Sequence, residues 1–138
     1  MTERLRIVIP GPPVAWARAG GNGARRFTPA RVRTYQSWVR ECAMVALDGY
    51  AGEWPIGKDV RYDVRFAVCR DSARRSDLDN HCKHADALIG VLWADDSQIA
   101  NVRAVRLAPS KADACMIVDV LPWTGPLPTL AEYLDGRG

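Results

Sequence analysis

A run of alternating residues between Lys58 and Arg70 constrains the fold most. In an extended chain this run places apolar side chains on one side and charged side chains on the other. The apolar side has Val60, Tyr62, Val64, Phe66 and Val68, and the charged side has Arg61, Asp63 and Arg65. Successive side chains of a strand point to opposite faces, so this alternation predicts a strand with one face against a core. A length of 138 residues, 48% of them apolar, suits one compact domain with its own core.

Other elements follow from similar signals. Leu5 to Ile9 predicts a first strand, which the prolines of residues 10–13 end. Thr28-Pro29 is a favourable helix start and Gly49 a favourable end, so we expect helix 1 between them. Its apolar stripe comprises Val32, Tyr35, Val39, Cys42 and Ala46.

The second half of the chain predicts one more helix and two strands. Helix 2 is expected from about Asp79 to Ile89, with Leu78, Cys82, Ala85 and Ile89 on its apolar side. Residues 99–108 and 115–121 are β-branched runs that suggest a hairpin. We therefore expect an α/β (α+β) domain over residues 1–121, a mixed sheet of about four strands packed with two main helices. Residues 122–138 form a Pro- and Gly-rich appendage with one short helix near residues 130–134.

Charge is distributed unevenly along the chain. The first 40 residues carry eight arginines against the single acid Glu3, so that the other 98 residues have a net charge of about −4 within an overall +3. Arg18, Arg25 and Arg26 flank a glycine cluster at residues 20–23. This segment either clamps a nucleic-acid backbone or is an ordinary surface loop. It lacks the spacing of a phosphate-binding nucleotide loop.

Acidic residues are crowded in two later segments. The first is Arg74-Arg75-Ser76-Asp77-Leu78-Asp79-Asn80, followed by Lys83, and the second is Trp93-Ala94-Asp95-Asp96-Ser97. Crowded carboxylates repel one another unless a cation offsets their charge, so the two segments predict a magnesium site that acts on phosphates. Lys83, one helical turn after Asp79, is placed to stabilise charge on the reacting phosphate, although an Asp–Lys pair at this spacing is also a common solvated contact.

Several other chemistries are disfavoured. His81, Cys82 and His84 lack a fourth zinc ligand at a suitable spacing, and we expect the two histidines at the surface. Cys42, Cys69, Cys82 and Cys115 form no C-x-x-C pair and are expected to be buried free thiols. No uninterrupted apolar run approaches the roughly 20 residues that span a bilayer, so we expect a soluble, intracellular protein.

These motifs resemble those of the RusA family of phage and prophage Holliday junction resolvases. The likeness extends over about residues 5–121. Its most specific part is the segment 75–80 with Lys83, followed by Asp86-Ala87-Leu88 and by residues 93–99. A looser match comprises Gly11-Pro12-Pro13, Arg18, Gly23, Arg25 or Arg26, Phe27-Thr28-Pro29 and Tyr35.

The resemblance implies a homodimeric nuclease of the bacterial or phage-infected cytoplasm that cuts four-way DNA junctions symmetrically with Mg²⁺ or Mn²⁺. It implies metal-binding catalytic roles for Asp77, Asp79 and Asp96, an accompanying role for Asp95 and a catalytic role for Lys83. Arg18, Arg25, Arg26, Arg74 and Arg75 are the expected DNA contacts.

One spacing departs from the family pattern. Asp86 follows Lys83 by three residues instead of four, so we leave Asp86 out of the site and expect a shorter or locally irregular helix 2. An inactive branched-DNA-binding protein is the main alternative, and a nucleotide phosphatase is a third possibility.

Overall fold

The computed structural model describes residues 4–16, 29–54, 59–73 and 78–136. The strands are β1 (Leu5–Pro10), β2 (Arg61–Cys69), β3 (Ile99–Arg106) and β4 (Cys115–Trp123), and the α-helices are α1 (Ala30–Asp48), α2 (Leu78–Cys82) and α3 (Leu130–Leu134). Two 3₁₀ helices, η1 (Lys83–Leu88) and η2 (Asp96–Gln98), lie between α2 and β3. The predicted α+β class, with one four-stranded mixed sheet and helices, is confirmed.

The strand order β1-β4-β2-β3 shows that the predicted hairpin of β3 and β4 is wrong. β4 lies between β1 and β2 and is antiparallel to both, whereas β3 is parallel to β2. A parallel pair needs a crossover of a dozen or more residues, and residues 70–98 provide it through α2 and η1. The crossover therefore carries both acidic segments, and the second of them, with Asp95 and Asp96, leads directly into β3.

The core lies between α1, η1 and one face of the sheet. Side chains such as Ile7, Val64 and Val118 are completely buried on that face. α1 buries Val32, Tyr35, Val39, Cys42 and Ala43, so the predicted stripe is correct except that Ala46 is only half-buried. Each large apolar side chain buried here contributes about 1.5–3 kcal/mol relative to an exposed one. This packing fixes α1 beside η1.

Helix 2 is much less regular than a continuous α-helix. The α-helical part is only Leu78–Cys82, and the chain continues as the 3₁₀ helix η1. His81 of α2 is buried, as are His84, Ala85, Ala87 and Leu88 of η1, whereas the predicted Leu78, Cys82 and Ile89 are half-buried. The expected irregularity is confirmed, and the predicted stripe does face the core: Ala85 is buried in it, and Leu78, Cys82 and Ile89 pack against it while partly exposed.

The two histidines are buried, which contradicts their predicted surface position. Both are 0% exposed. The Nε2 atom of His84 is hydrogen-bonded to the carbonyl oxygen of Val14, and its ring packs edge-on against Tyr35 with centroids 4.9 Å apart. Burial lowers the pKa of His81 to about 4 and also lowers the pKa of His84, which favours the neutral form of both imidazoles. The contacts of His84 with Val14 and Trp16 hold the segment after β1 against η1.

The carboxyl-terminal segment packs little against the rest of the molecule. β4 extends to Trp123, two residues beyond the predicted domain boundary, and the predicted short helix is present as α3. Leu130, Tyr133 and Leu134 of α3 are all largely exposed.

The four cysteines are free thiols, two of them buried and two half-buried. None of the helices in the described ranges is long and apolar enough to cross a membrane.

Candidate nuclease site

The acidic pair Asp95–Asp96 lies in a turn that the sheet and η2 position. Trp93 is completely buried just before the turn, and Asp96 begins η2, which leads directly into β3. Buried Gln98 holds the turn: its Oε1 accepts hydrogen bonds from the backbone N–H groups of Ala94 (2.9 Å) and Asp95 (3.1 Å). Its Nε2 donates to the carbonyl oxygen of Val60 at 2.8 Å. The backbone that carries the two exposed carboxylates is thus fixed by the hydrogen bonds of Gln98.

The two carboxylates of this turn interact directly. The Ser97 hydroxyl donates a 2.6 Å hydrogen bond to Oδ2 of Asp95, and this bond, followed by the contact with Asp96, lowers the pKa of Asp95. The same contact with Asp95 raises the pKa of Asp96, and the charge of Asp86 raises it further. The negative charges of Asp95 and Asp96 therefore lie close together, and a cation bound there would stabilise them. The charge of Asp86 also acts on Asp96.

Asp79 and Lys83 lie one turn apart on the crossover, and both are exposed. Ion pairs within 4.0 Å among the described residues join Asp119 to Arg4 and Arg6, and Asp63 to Arg65. Asp79 and Lys83 are absent from these pairs, so the ordinary helix contact considered from the sequence is not formed. The Lys83 ammonium is thus not neutralised by a neighbouring carboxylate of the described chain.

Part of the predicted site falls outside the described residues. Asp77 lies there, as do the five arginines expected to contact DNA, namely Arg18, Arg25, Arg26, Arg74 and Arg75. Within the described ranges, no three His, Cys, Asp or Glu side chains are grouped as a metal site. The described part thus brings Asp95 and Asp96 together and does not by itself complete a set of ligands with Asp79.

The chemistry of the described donors still fits a hard cation. Asp79, Asp95 and Asp96 offer only exposed carboxylate oxygens, which Mg²⁺ and Mn²⁺ prefer and which leave room for water ligands. The donors do not fit zinc, because the His84 imidazole is buried and engaged with Val14.

Sequence reasoning missed two residues that shape the site. Gln98 follows Asp95 by three residues, which is the spacing of a capping box, and that signal was available in the sequence. Asp86 was left out because of its spacing, yet its charge acts on Asp96. The 3₁₀ geometry of η1 changes the direction of this side chain relative to an α-helix, which residue spacing alone does not reveal.

Comparisons with known proteins identify the family of the chain. A search of curated proteins found no match. The family model of the endodeoxyribonuclease RusA matches residues 10–117, which include the whole crossover with both acidic segments. Because this match covers 108 of the 138 residues, the chain belongs to the RusA endodeoxyribonuclease family.

Proposed function

We propose that the protein is a magnesium-dependent endodeoxyribonuclease that resolves four-way DNA junctions, with Mn²⁺ as a substitute ion. The observation that carries the proposal is the family match over residues 10–117. That family consists of endodeoxyribonucleases, and it implies activity on Holliday junctions. The exposed acidic turn in the same segment supports hydrolysis of phosphodiester bonds at this position of the fold.

In this proposal, Asp77, Asp79 and Asp96 hold the cation, and Asp95 assists them. The cation would supply charge stabilisation and activation of water for attack on phosphorus. The hydrogen bonds of Gln98 and Ser97 keep Asp95 in a fixed orientation, which favours one arrangement of the acidic turn. The support for this role comes from the shared charge of Asp95 and Asp96.

Lys83 has the complementary role of stabilising the reacting phosphate. Its exposed ammonium, unpaired within the described ranges, is available to a phosphate that approaches Asp79. A fixed positive charge stabilises the transition state when negative charge develops on the phosphoryl oxygens. Replacement of Lys83 by Met is expected to slow cutting more than it weakens junction binding.

DNA binding is assigned to the basic amino-terminal third. Arg18, Arg25 and Arg26, with Arg74 and Arg75 before the first acids, would contact phosphates and set the orientation of the junction. A four-way junction is nearly two-fold symmetric, so a homodimer would offer two symmetry-related sites for paired cuts. Paired cuts of this kind leave nicked duplexes that a ligase can seal.

The proposal is tested with Asp79→Asn and Asp96→Asn on a labelled four-way junction. Both variants should lose at least about a hundredfold in cutting rate with Mg²⁺, because each removes a charge that holds the ion. Binding measured in Ca²⁺ should remain. Asp48→Asn, an exposed acid at the end of α1, is the matched control and should cut normally. Undiminished cutting by both site variants would remove the metal-site assignment.

The alternative is a catalytically inactive protein that binds branched DNA. The shortened spacing between Lys83 and Asp86, with the 3₁₀ geometry it accompanies, is the observation that favours it. Such a protein would bind the junction in Ca²⁺ and would leave it uncut in both Mg²⁺ and Mn²⁺. The same assay with unmodified protein therefore separates the two functions.

A further inference from the structure

An open groove of about 430 Å³ lies between α1 and η1. One wall is a single face of α1, formed by Arg33, Gln36, Ser37 and Arg40. These residues are spaced as i, i+3, i+4 and i+7, so they align along one side of the helix. The groove is large enough for a nucleotide-sized ligand, and this wall presents polar hydrogen-bonding side chains with two positive charges.

The two arginines of the groove differ in how they are held. Nη1 of Arg40 donates hydrogen bonds to the carbonyl oxygens of Ala87 (2.7 Å) and Ile89 (3.1 Å), which fixes the guanidinium against η1. This leaves the N–H groups of its Nη2 and Nε for another acceptor. Arg33 is exposed and takes part in none of the ion pairs of the described chain. The groove thus has one guanidinium fixed by hydrogen bonds, that of Arg40, and one exposed guanidinium, that of Arg33.

The opposite wall connects the groove to the acidic site. It contains Trp16 and Asp86. The backbone N–H of Trp16 donates to the carbonyl oxygen of Asn80 at 3.0 Å, next to Asp79, and the Trp16 ring packs against buried His84. Asp86 exerts its charge on Asp96. A DNA strand in the groove would therefore lie next to Asp86 and to Trp16, whose backbone is hydrogen-bonded to the residue after Asp79.

We propose that this groove binds the phosphodiester backbone of the DNA strand that enters the acidic site. Arg33 and Arg40 donate to successive phosphate oxygens, Gln36 and Ser37 add neutral hydrogen bonds, and the indole of Trp16 lies against a sugar or an unstacked base. This inference rests on the proposed action on DNA. It adds Arg33 and Arg40 of α1, with Trp16, to the arginines already assigned to DNA binding.

Two matched pairs of variants test the groove. Arg33→Ala and Arg31→Ala each remove one positive charge from exposed positions of α1, but only Arg33 lines the groove. Ser37→Glu and Thr34→Glu each add one negative charge, and only Ser37 lines the groove. The measurement is the dissociation constant for a labelled four-way junction in Ca²⁺ over a series of salt concentrations, with circular dichroism to confirm folding.

The expected result is a difference within each pair. Arg33→Ala should reduce the slope of log affinity against log salt by about 1, because one phosphate contact is lost, whereas Arg31→Ala should leave the slope unchanged. Ser37→Glu should weaken binding at low salt by about tenfold or more, and Thr34→Glu should not, since a carboxylate in the groove would lie next to bound phosphates.

The outcomes separate this inference from the proposed nuclease activity. Equal slopes for Arg33→Ala and unmodified protein, with normal cutting in Mg²⁺, would overturn the groove and leave the nuclease assignment intact. Groove-dependent binding without cutting would support the groove and contradict the nuclease assignment. Unmodified protein that binds no junction would overturn both.

Discussion

Replacement of Gln98 by Ala should destabilise the protein and disturb the acidic turn together. The Gln98 side chain is 4% exposed and makes the hydrogen bonds to Ala94, Asp95 and Val60 at 2.8–3.1 Å. An alanine side chain reaches none of these partners. The two backbone N–H groups and one carbonyl would then depend on water entering a site that the amide now fills.

The expected size of the effect follows from these three contacts. A hydrogen bond of this kind contributes about 1 kcal/mol net, so the loss should be about 3 kcal/mol in the free energy of unfolding. For a chain of 138 residues, the usual unfolding entropy converts this to a decrease of about 10 °C in Tm. The loss would be smaller if water replaced the amide well, and larger if the buried groups stayed unpaired.

Urea unfolding followed by circular dichroism measures the change, and Ser97→Ala is the control from the same turn. Ser97 is exposed and donates one hydrogen bond to Asp95, so its replacement should cost less than about 1 kcal/mol. Junction cutting by folded Gln98→Ala should also decrease, because Asp95 loses its backbone anchor. A change in unfolding free energy no larger than that of Ser97→Ala would refute the reasoning.

Three further predictions concern pH, the tail and the basic loop. Burial lowers the pKa of His84 below 6.5, so the unfolded chain binds a proton that the native imidazole does not; stability should fall as pH decreases below 6.5, and urea midpoints for His84→Gln should fall less steeply. Deletion of residues 127–138 should change the unfolding free energy by less than about 1 kcal/mol, because α3 is exposed, and a larger loss would show that the tail belongs to the domain. Arg25→Ala and Arg26→Ala should each flatten the salt dependence of junction affinity by a slope of about 1, and unchanged slopes would make the segment an ordinary surface loop.

The elements set by local pattern were predictable from the sequence. β2 occupies residues 61–69 within the predicted 58–70, because Tyr62, Val64, Phe66 and Val68 alternate onto the buried face; on the other face Arg61 and Arg65 are exposed, whereas Asp63 is buried. α1 ends next to Gly49, as predicted, and its apolar stripe is the buried face. Both elements depend on periodicity and on helix-ending residues, which a single sequence contains in full.

The pairing of strands depends on distant parts of the chain and was not predictable in the same way. β3 and β4 are close in sequence and each suits a strand, yet β4 inserts between β1 and β2. The change from α2 to the 3₁₀ helix η1 was likewise not predictable in detail, and His81 of α2 and His84 of η1 are buried against expectation. These choices follow from packing in three dimensions.

The acidic pair of the candidate site could be recognised in the sequence, whereas the contacts that hold it were not predicted. The neighbours Asp95 and Asp96 interact, as an adjacent acidic pair suggests. The anchoring by Gln98 and the contribution of Asp86 depend on a 3₁₀ turn and on the crossover. The convergence of Asp77 and Asp79 with this pair remains a prediction, since Asp77 lies outside the described residues.

The position of β4 has a consequence for how the protein is made. Within the described sheet, β1 is hydrogen-bonded to β4, with Leu5 opposite Val120, so the first strand pairs with the last one. During synthesis β1 leaves the ribosome long before β4 has been made. Until then, the apolar side chains and the backbone hydrogen-bonding groups of β1 remain exposed. Because such distant pairing slows folding, we expect the sheet to form only after β4 has left the ribosome and to benefit from chaperones that shield strand edges.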